Sequence, residues 1–299
     1  MASADSLLQF DPPDSPKDVY ALIEQAFFGD GGTLSANLVH SAFQHHFNVR
    51  GSGSRIALTR HCAQTLGIQV PDSVCLASAV ECLHNASLVQ DDLQDKSSFR
   101  RGQAAVAAQF GRDVALGLTD QLITSAFVCL AGISDPARLP FLISQINRAV
   151  GKTVEGQTRE LSGSLEGCAM NAYLDAARKK SGPLFALSLE LPLIFTKNVE
   201  FVATAHEAAC QFGLGYQILD DLKDRKSDSR GENSGNVVFA LQNARGNANA
   251  ANAANAAATM AENILQEASN RADSLPLGCG RPLIELIGRL TAQINAFKS

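Results

Sequence analysis

The stretch that decides the fold runs from Asp72 to Gln94, an apolar segment at helical spacing that ends in Asp91-Asp92-Leu93-Gln94-Asp95. The pattern returns as Asp220-Asp221-Leu222-Lys223-Asp224, at the end of a second such segment, Val199 to Leu222. Positions i and i+4 share a helix face, so Asp91 projects with Asp95 and Asp220 with Asp224. Carboxylates held that close repel one another unless a cation neutralises them. Clustered oxygen ligands suit Mg²⁺, which keeps several waters and takes further ligands from substrate phosphates. Two acidic clusters far apart in sequence could close around one diphosphate through bridging Mg²⁺ ions. The alternative is two solvated acidic helix ends, but two copies of one pentapeptide are far less expected by chance than one.

Outward from these motifs, apolar residues recur at helical spacing over Lys17–Phe28, Leu34–Phe47, Ser54–Leu66, Arg112–Gly132, Pro136–Leu161 and Asn171–Leu189. A last helix is predicted near Pro282–Phe297. Alternating β-branched runs are scarce. Breakers separate the helices: Gly29-Asp30-Gly31-Gly32, Gly51-Ser52-Gly53, and Pro71-Asp72-Ser73, where Asp72 or Ser73 would cap. Gln242 to Met260 is rich in Ala and Asn and reads as a thin surface helix, with a disordered insert as the alternative. No long linker or composition shift divides the chain, so the expectation is all-α and single-domain, with residues 1–16 flexible.

The chain has 299 residues, 45% of them hydrophobic, enough for a sizeable core. A net charge of −5 without any basic run argues against a nucleic-acid partner. No apolar stretch is read as reaching membrane-spanning length, and Met1 to Asp14 is polar and acidic, unlike a signal peptide. Seven cysteines without CxxC spacing read as reduced thiols of a cytoplasmic protein. Cys75 and Cys82 lie on an apolar helical stretch and read as small core residues.

With both motifs placed, the chain resembles the trans-isoprenyl diphosphate synthases (polyprenyl synthetases) of the class I isoprenoid synthase superfamily. The resemblance is carried by Glu81-Cys82-Leu83-His84-Asn85-Ala86-Ser87-Leu88-Val89-Gln90 before the first aspartate motif and Phe99-Arg100-Arg101-Gly102-Gln103 after it. Phe110-Gly111, Gly156-Gln157 with Glu160, Lys180-Ser181 and Tyr216-Gln217 add to it. It implies an antiparallel helical bundle with a central cavity, a homodimer, and Mg²⁺ as cofactor. It further implies that an allylic prenyl diphosphate ionises and that isopentenyl diphosphate attacks the carbocation. By resemblance, Asp91, Asp95 and Asp220 are direct metal ligands, and Asp92, Asp221 and Asp224 support them or orient metal-bound waters. Arg100 and Lys180 would hold the allylic diphosphate, and Gln157, Ser181 and Gln217 would line the reacting carbons. In Arg178-Lys179-Lys180 only the last matches the family position; its neighbours read as solvated charge.

The acceptor side departs from the family pattern. Gly53-Ser54-Arg55-Ile56-Ala57-Leu58 stands where the family has Gly-Lys-Arg-x-Arg-Pro, so only Arg55 of three cations is kept. His84 and Arg101, which match other acceptor positions, are present, whereas the C-terminal end carries one cation, Lys298. A charge-assisted hydrogen bond contributes roughly 1.5–3 kcal/mol, so two losses would weaken acceptor binding by about two to four powers of ten. Ala86 and Ser87, just before the first motif, are small and suggest room for a C15–C20 chain. The favoured reading is a short-chain prenyl diphosphate synthase. A class I terpene cyclase, which needs no acceptor cations, stands second; without Trp it would rely on Phe99, Phe110, Phe185 or Phe212 to stabilise carbocations. A non-catalytic partner subunit stands third.

Overall fold

The computed structural model describes residues 16–29, 37–161, 170–228, 236–244 and 249–298. They fold almost entirely as α-helices and divide into two compact units, Met1–Ile143 and Ser144–Ser299.

In the first unit, helices α1 (Lys17–Phe28), α2 (Leu38–Asn48), α3 (Ser54–Thr65) and α6 (Arg112–Ala131) gather around α4 (Val70–Gln94) and one another. Helix α4 is buried nearly all round, as its weak amphipathicity dictates: Leu76, Ala77, Ala79 and Cys82 are fully covered. It starts two residues before the predicted Asp72, with Pro71 in its first turn. Asp72 therefore does not cap it. Its buried carboxylate instead accepts from Ser134 N at 2.7 Å and Ser134 Oγ at 2.6 Å. Asn37 caps α2, accepting from His40 N at 2.9 Å, so that helix begins later than the predicted Leu34. Phe27, Phe28, Phe43 and Phe47 form an aromatic cluster between α1 and α2. After α4 comes a two-stranded hairpin, β1 (Phe99–Arg100) and β2 (Gln103–Ala104), unforeseen in the sequence. Its turn places Arg101 and Gly102 at φ 52° and 79°, the positive values that two-residue hairpin turns require. A single turn, α5 (Val106–Phe110), leads into α6.

Helix α6 corrects the membrane expectation. It is 20 residues long and holds an 18-residue window with a mean hydropathy of 1.6, long and apolar enough to span a bilayer by length and composition. A core helix meets the same measure, and α6 sends Leu118, Leu122, Ala126 and Leu130 into the interior.

The second unit takes up inside α7 (Leu139–Leu161) and continues through α8 (Met170–Phe195), α9 (Val202–Asp228), α10 (Val237–Ala244), α11 (Ala250–Asp273) and α12 (Arg281–Asn295). Helix α8 runs on past the predicted end at Leu189 and carries Pro183 and Pro192 within it. Helices α8 and α9 approach closely: a Cβ on Gly182 would stand 2.6 Å from Cys210 Sγ, and one on Gly213 would stand 3.1 Å from Gly182. The Ala/Asn-rich stretch is a core helix on one side, not a thin surface one. Ala253, Ala254, Ala257, Ala258 and Ala261 of α11 are buried and Asn249 caps it, accepting from Ala251 N at 2.9 Å. Gln242 to Ala244 belong to α10, and residues 245–248 lie outside the described set.

Candidate functional site

The first motif sits on the final turn of α4, where Asp95 N donates to Asp91 O at 2.8 Å. Asp91 is half-buried and Asp95 exposed, on one helix face as the spacing predicts. Asp92 behaves differently. It is 2% exposed, and Arg100 donates to it from Nε at 3.0 and 3.1 Å and from Nη2 at 2.6 Å. The hairpin turns the chain back to make this two-point pair, which compensates the cost of burying the carboxylate. So Arg100, expected on the diphosphate, and Asp92, expected beside the metal, are engaged with each other.

The residues expected on the acceptor side also gather in this unit. Arg55 Nη1 lies 3.1 Å from His84 Nε2. Arg101 donates to Val49 O at 3.3 Å, and its guanidinium packs on Gly51, where a Cβ would lie 2.3 Å from Nη2. Burial, then the charges of Arg55 and Arg101, hold His84 well below the usual imidazole range. His84 is therefore neutral at pH 7 and accepts from Arg55. The same positive field reaches His46, which burial first of all pushes down to about 4. Such a concentration of cations about two neutral imidazoles favours an anion. Ser54 and Ala57, where the family carries cations, are buried in α3. A network missed in the sequence backs the site: His46 Nε2 to Asn85 Oδ1 at 3.0 Å, and Asn85 Nδ2 to Glu81 Oε1 at 2.9 Å. Its one local signal is the i, i+4 spacing of Glu81 and Asn85.

In the second unit, α9 continues beyond the motif, so Asp220 and Asp224 lie within the helix, half-buried and exposed respectively. Again the second aspartate turns inward. Asp221 accepts from Tyr173 Oη, from Val237 N at 2.7 Å and from Gln217 Nε2 at 3.2 Å. Asn236 Nδ2 donates to Asp221 O at 2.8 Å and Asn236 Oδ1 caps α10. Asp221 thus joins α8, α9 and α10. Tyr173, which sequence reading missed, carries no local motif.

The polar residues expected near the reacting carbons lie in this unit too. Ser181 Oγ is 3.5 Å from Gln217 Oε1, which extends the chain of contacts from Asp221. Gln157 is 7% exposed, and neither its amide oxygen nor its nitrogen has a hydrogen-bond partner among the described residues. A buried amide with both ends unmet is costly unless something else completes it. Beside it, Gly156 lets α7 touch α8; a Cβ there would lie 2.6 Å from Lys180 N. Arg178 pairs with Glu207, and Lys179 bonds Glu155 and Asp175 at 2.9 Å each, as solvated surface charges do. Lys180 is half-buried.

Among the described residues, no three His, Cys, Asp or Glu side chains converge as a metal cage. The donors still fit Mg²⁺, which binds through one or two carboxylates and completes its shell with water and phosphate oxygens. Asp91 with Asp95, and Asp220 with Asp224, each offer such a pair. Phe99 is 74% exposed, and Phe185 and Phe212 pack on each other in the core with centroids 4.8 Å apart.

The polyprenyl synthetase model matches residues 36–237, a span that holds both aspartate motifs. The chain is 30% identical over 190 residues to a geranylgeranyl pyrophosphate synthase of Geoglobus acetivorans, covering 62% of this chain and 59% of that one. It is 31% identical over 193 residues to a short chain isoprenyl diphosphate synthase of Methanocaldococcus jannaschii, covering 64% and 59%. The matched part thus spans about three fifths of the length of these relatives. The fold is similar to that of a decaprenyl diphosphate synthase from Rhodobacter capsulatus, with a TM-score of 0.79 and 21% identity over 93% of this chain and 95% of that one. With a family model matching two thirds of its length and two intact aspartate motifs within the match, this chain belongs to the polyprenyl synthetase family.

Proposed function

We propose that the protein is a prenyltransferase that ionises an allylic prenyl diphosphate and condenses it with isopentenyl diphosphate to a short-chain, C15–C20 product. The observation that carries this reading is the disposition of the two motifs. In each, the second aspartate is buried and bonded to other elements of the protein, and the first and fifth, half-buried and exposed, share one helix face. Those pairs are suited to Mg²⁺, which when bound would neutralise the charge developing on the departing diphosphate. Lys180 and Arg100 would add fixed positive charge on the allylic side. Neutral His84, Arg55 and Arg101 would receive the acceptor diphosphate, and the gathered positive field about His84 supports that role. Gln157, Ser181 and Gln217 would present polar atoms to the reacting carbons, the unmet amide of Gln157 being the one poised to do so. The names of the relatives, geranylgeranyl and short-chain synthases, support the product class.

We further propose one functional body, a homodimer and a cytoplasmic location. Leu116 and Val128 expose apolar side chains on α6 that a partner would cover, and the six described cysteines are all free thiols. The deciding experiment is product analysis with Mg²⁺ and each allylic diphosphate, with and without isopentenyl diphosphate. Elongated diphosphates that appear only with isopentenyl diphosphate are expected. Hydrocarbons or alcohols formed without it would replace this reading with a cyclase.

A further inference from the structure

In the first unit, the β1–β2 hairpin is tied to α2 by a reciprocal pair of contacts that no step of the proposed reaction uses. Gln103 Nε2 donates to His45 O, in the last turn of α2, at 2.8 Å. In return, His45 Nε2 lies 2.8 Å from Ala104 O. A carbonyl oxygen can only accept, so His45 carries a proton on Nε2 and donates it. The His45 ring also meets Phe110 edge-on, with centroids 5.4 Å apart, which holds its plane.

The register of the hairpin gives these contacts their meaning. Gln103 stands directly across from Arg100, and Ala104 across from Phe99. One strand is fastened to α4 through Arg100 and Asp92, the other to α2 through Gln103 and Ala104. The two-residue turn between them is Arg101-Gly102, so Arg101 is held from both sides. Its φ of 52° is one that a non-glycine residue keeps only where the surroundings over-determine it. From this turn Arg101 donates to Val49 O at 3.3 Å, packs its guanidinium on Gly51, and extends its charge to His84.

We propose that Gln103 and His45 are positioning residues for the acceptor: their two bonds hold the hairpin turn so that the Arg101 guanidinium faces the diphosphate of isopentenyl diphosphate. This rests on the reading that Arg101 receives the acceptor. Gln103 and His45 act through Arg101 and not on the substrate. A guanidinium grips phosphate oxygens in a directional, paired geometry, so a small displacement of the backbone that carries it costs affinity. Asp92 keeps hold of the Arg100 strand when α2 lets go, so the allylic side stays in place.

The test is steady-state kinetics of the full chain with Mg²⁺, isopentenyl diphosphate and a C10 allylic diphosphate. Gln103→Glu keeps the side-chain length but sets an acceptor against His45 O. His45→Phe keeps a ring beside Phe110 and removes the Nε2 donor. Each should raise KM for isopentenyl diphosphate by about tenfold and leave kcat and the allylic KM within about twofold. In an Arg101→Ala background, either change should add almost nothing, because the residue through which it acts is gone. Circular dichroism checks folding, and if Gln103→Glu does not fold, His45→Phe carries the same comparison. An unchanged acceptor KM, equal rises in both KM values, or losses that simply add to that of Arg101→Ala would overturn the proposal. A wild-type chain that forms no acceptor-dependent product would overturn the functional reading, and this proposal with it, before any variant is made.

Discussion

Arg100 lays its guanidinium on the carboxylate of Asp92, with Nη2 2.6 Å from Oδ1, and so closes the hairpin back onto the last turn of α4. The two partners differ in exposure, 29% for the arginine side chain and 2% for the aspartate, and this asymmetry sets the first prediction. Arg100→Ala leaves a buried carboxylate without its pair and should cost about 2 to 3 kcal/mol, below the full buried-pair value because water reaches this edge. Asp92→Ala leaves an arginine that turns to solvent and should cost about half as much. The double variant should recover part of the loss. Urea unfolding of the four proteins measures the cycle; strict additivity would show that the pair contributes nothing.

The first and second aspartates of each motif should separate by assay. Asp91→Asn and Asp220→Asn are expected to abolish Mg²⁺-dependent turnover while moving the melting temperature little. Asp221→Asn and Tyr173→Phe act on a bond that joins helices and should destabilise, by about 1 to 3 kcal/mol, or roughly 2 to 4 °C per kcal/mol. Calorimetry beside turnover decides it. Equal melting losses at Asp91 and Asp221 would erase the distinction.

Gln157 offers a test with opposite signs. Its amide is buried with both ends unmet, so Gln157→Leu removes an uncompensated polar group and should leave stability unchanged or raise it by about 1 kcal/mol. The same change removes a polar atom proposed to face the reacting carbons and should lower kcat by about tenfold or more. A large stability loss would mean that the amide has a partner in solution.

Two histidines should bend the stability profile at opposite ends. Burial holds His46 down at about 4, below its unfolded value near 6.5, so the unfolded chain binds more protons across that window. Its contribution is complete above about pH 6.5 and is lost as pH falls toward 4, an effect of at most ~3 kcal/mol. Contacts with Cys210 and then Glu190 raise His206 to about 9, so its contribution is complete below pH 6.5 and is lost as pH rises through 9. Chemical denaturation across the range should show both limbs. His46→Gln should flatten the acid limb and His206→Gln the alkaline one.

What the sequence made legible was whatever local spacing controls. The apolar run of α4 and its aspartates, the α1 boundaries and the shared face of Asp91 and Asp95 all follow from period and composition. The end of α8 did not, because Pro192 reads as a breaker while the buried helix around it carries on. Which aspartate turns inward was also hidden. For Asp92 it depends on a turn with positive φ at Arg101, and for Asp221 on a tyrosine 48 residues away. The contacts of His45 with Gln103 and Ala104 are likewise assembled by packing from positions with no common motif.

The six described thiols give the molecule a built-in clock. Cys62, Cys75, Cys82 and Cys129 are buried in the first unit, and Cys210 and Cys279 in the second. Cys82 is further held protonated by its contact with Cys129 and by burial. None should react with an alkylating reagent until its surroundings open. The order in which the six acquire label, read by mass spectrometry, would therefore time the opening of each unit separately, without any engineered probe.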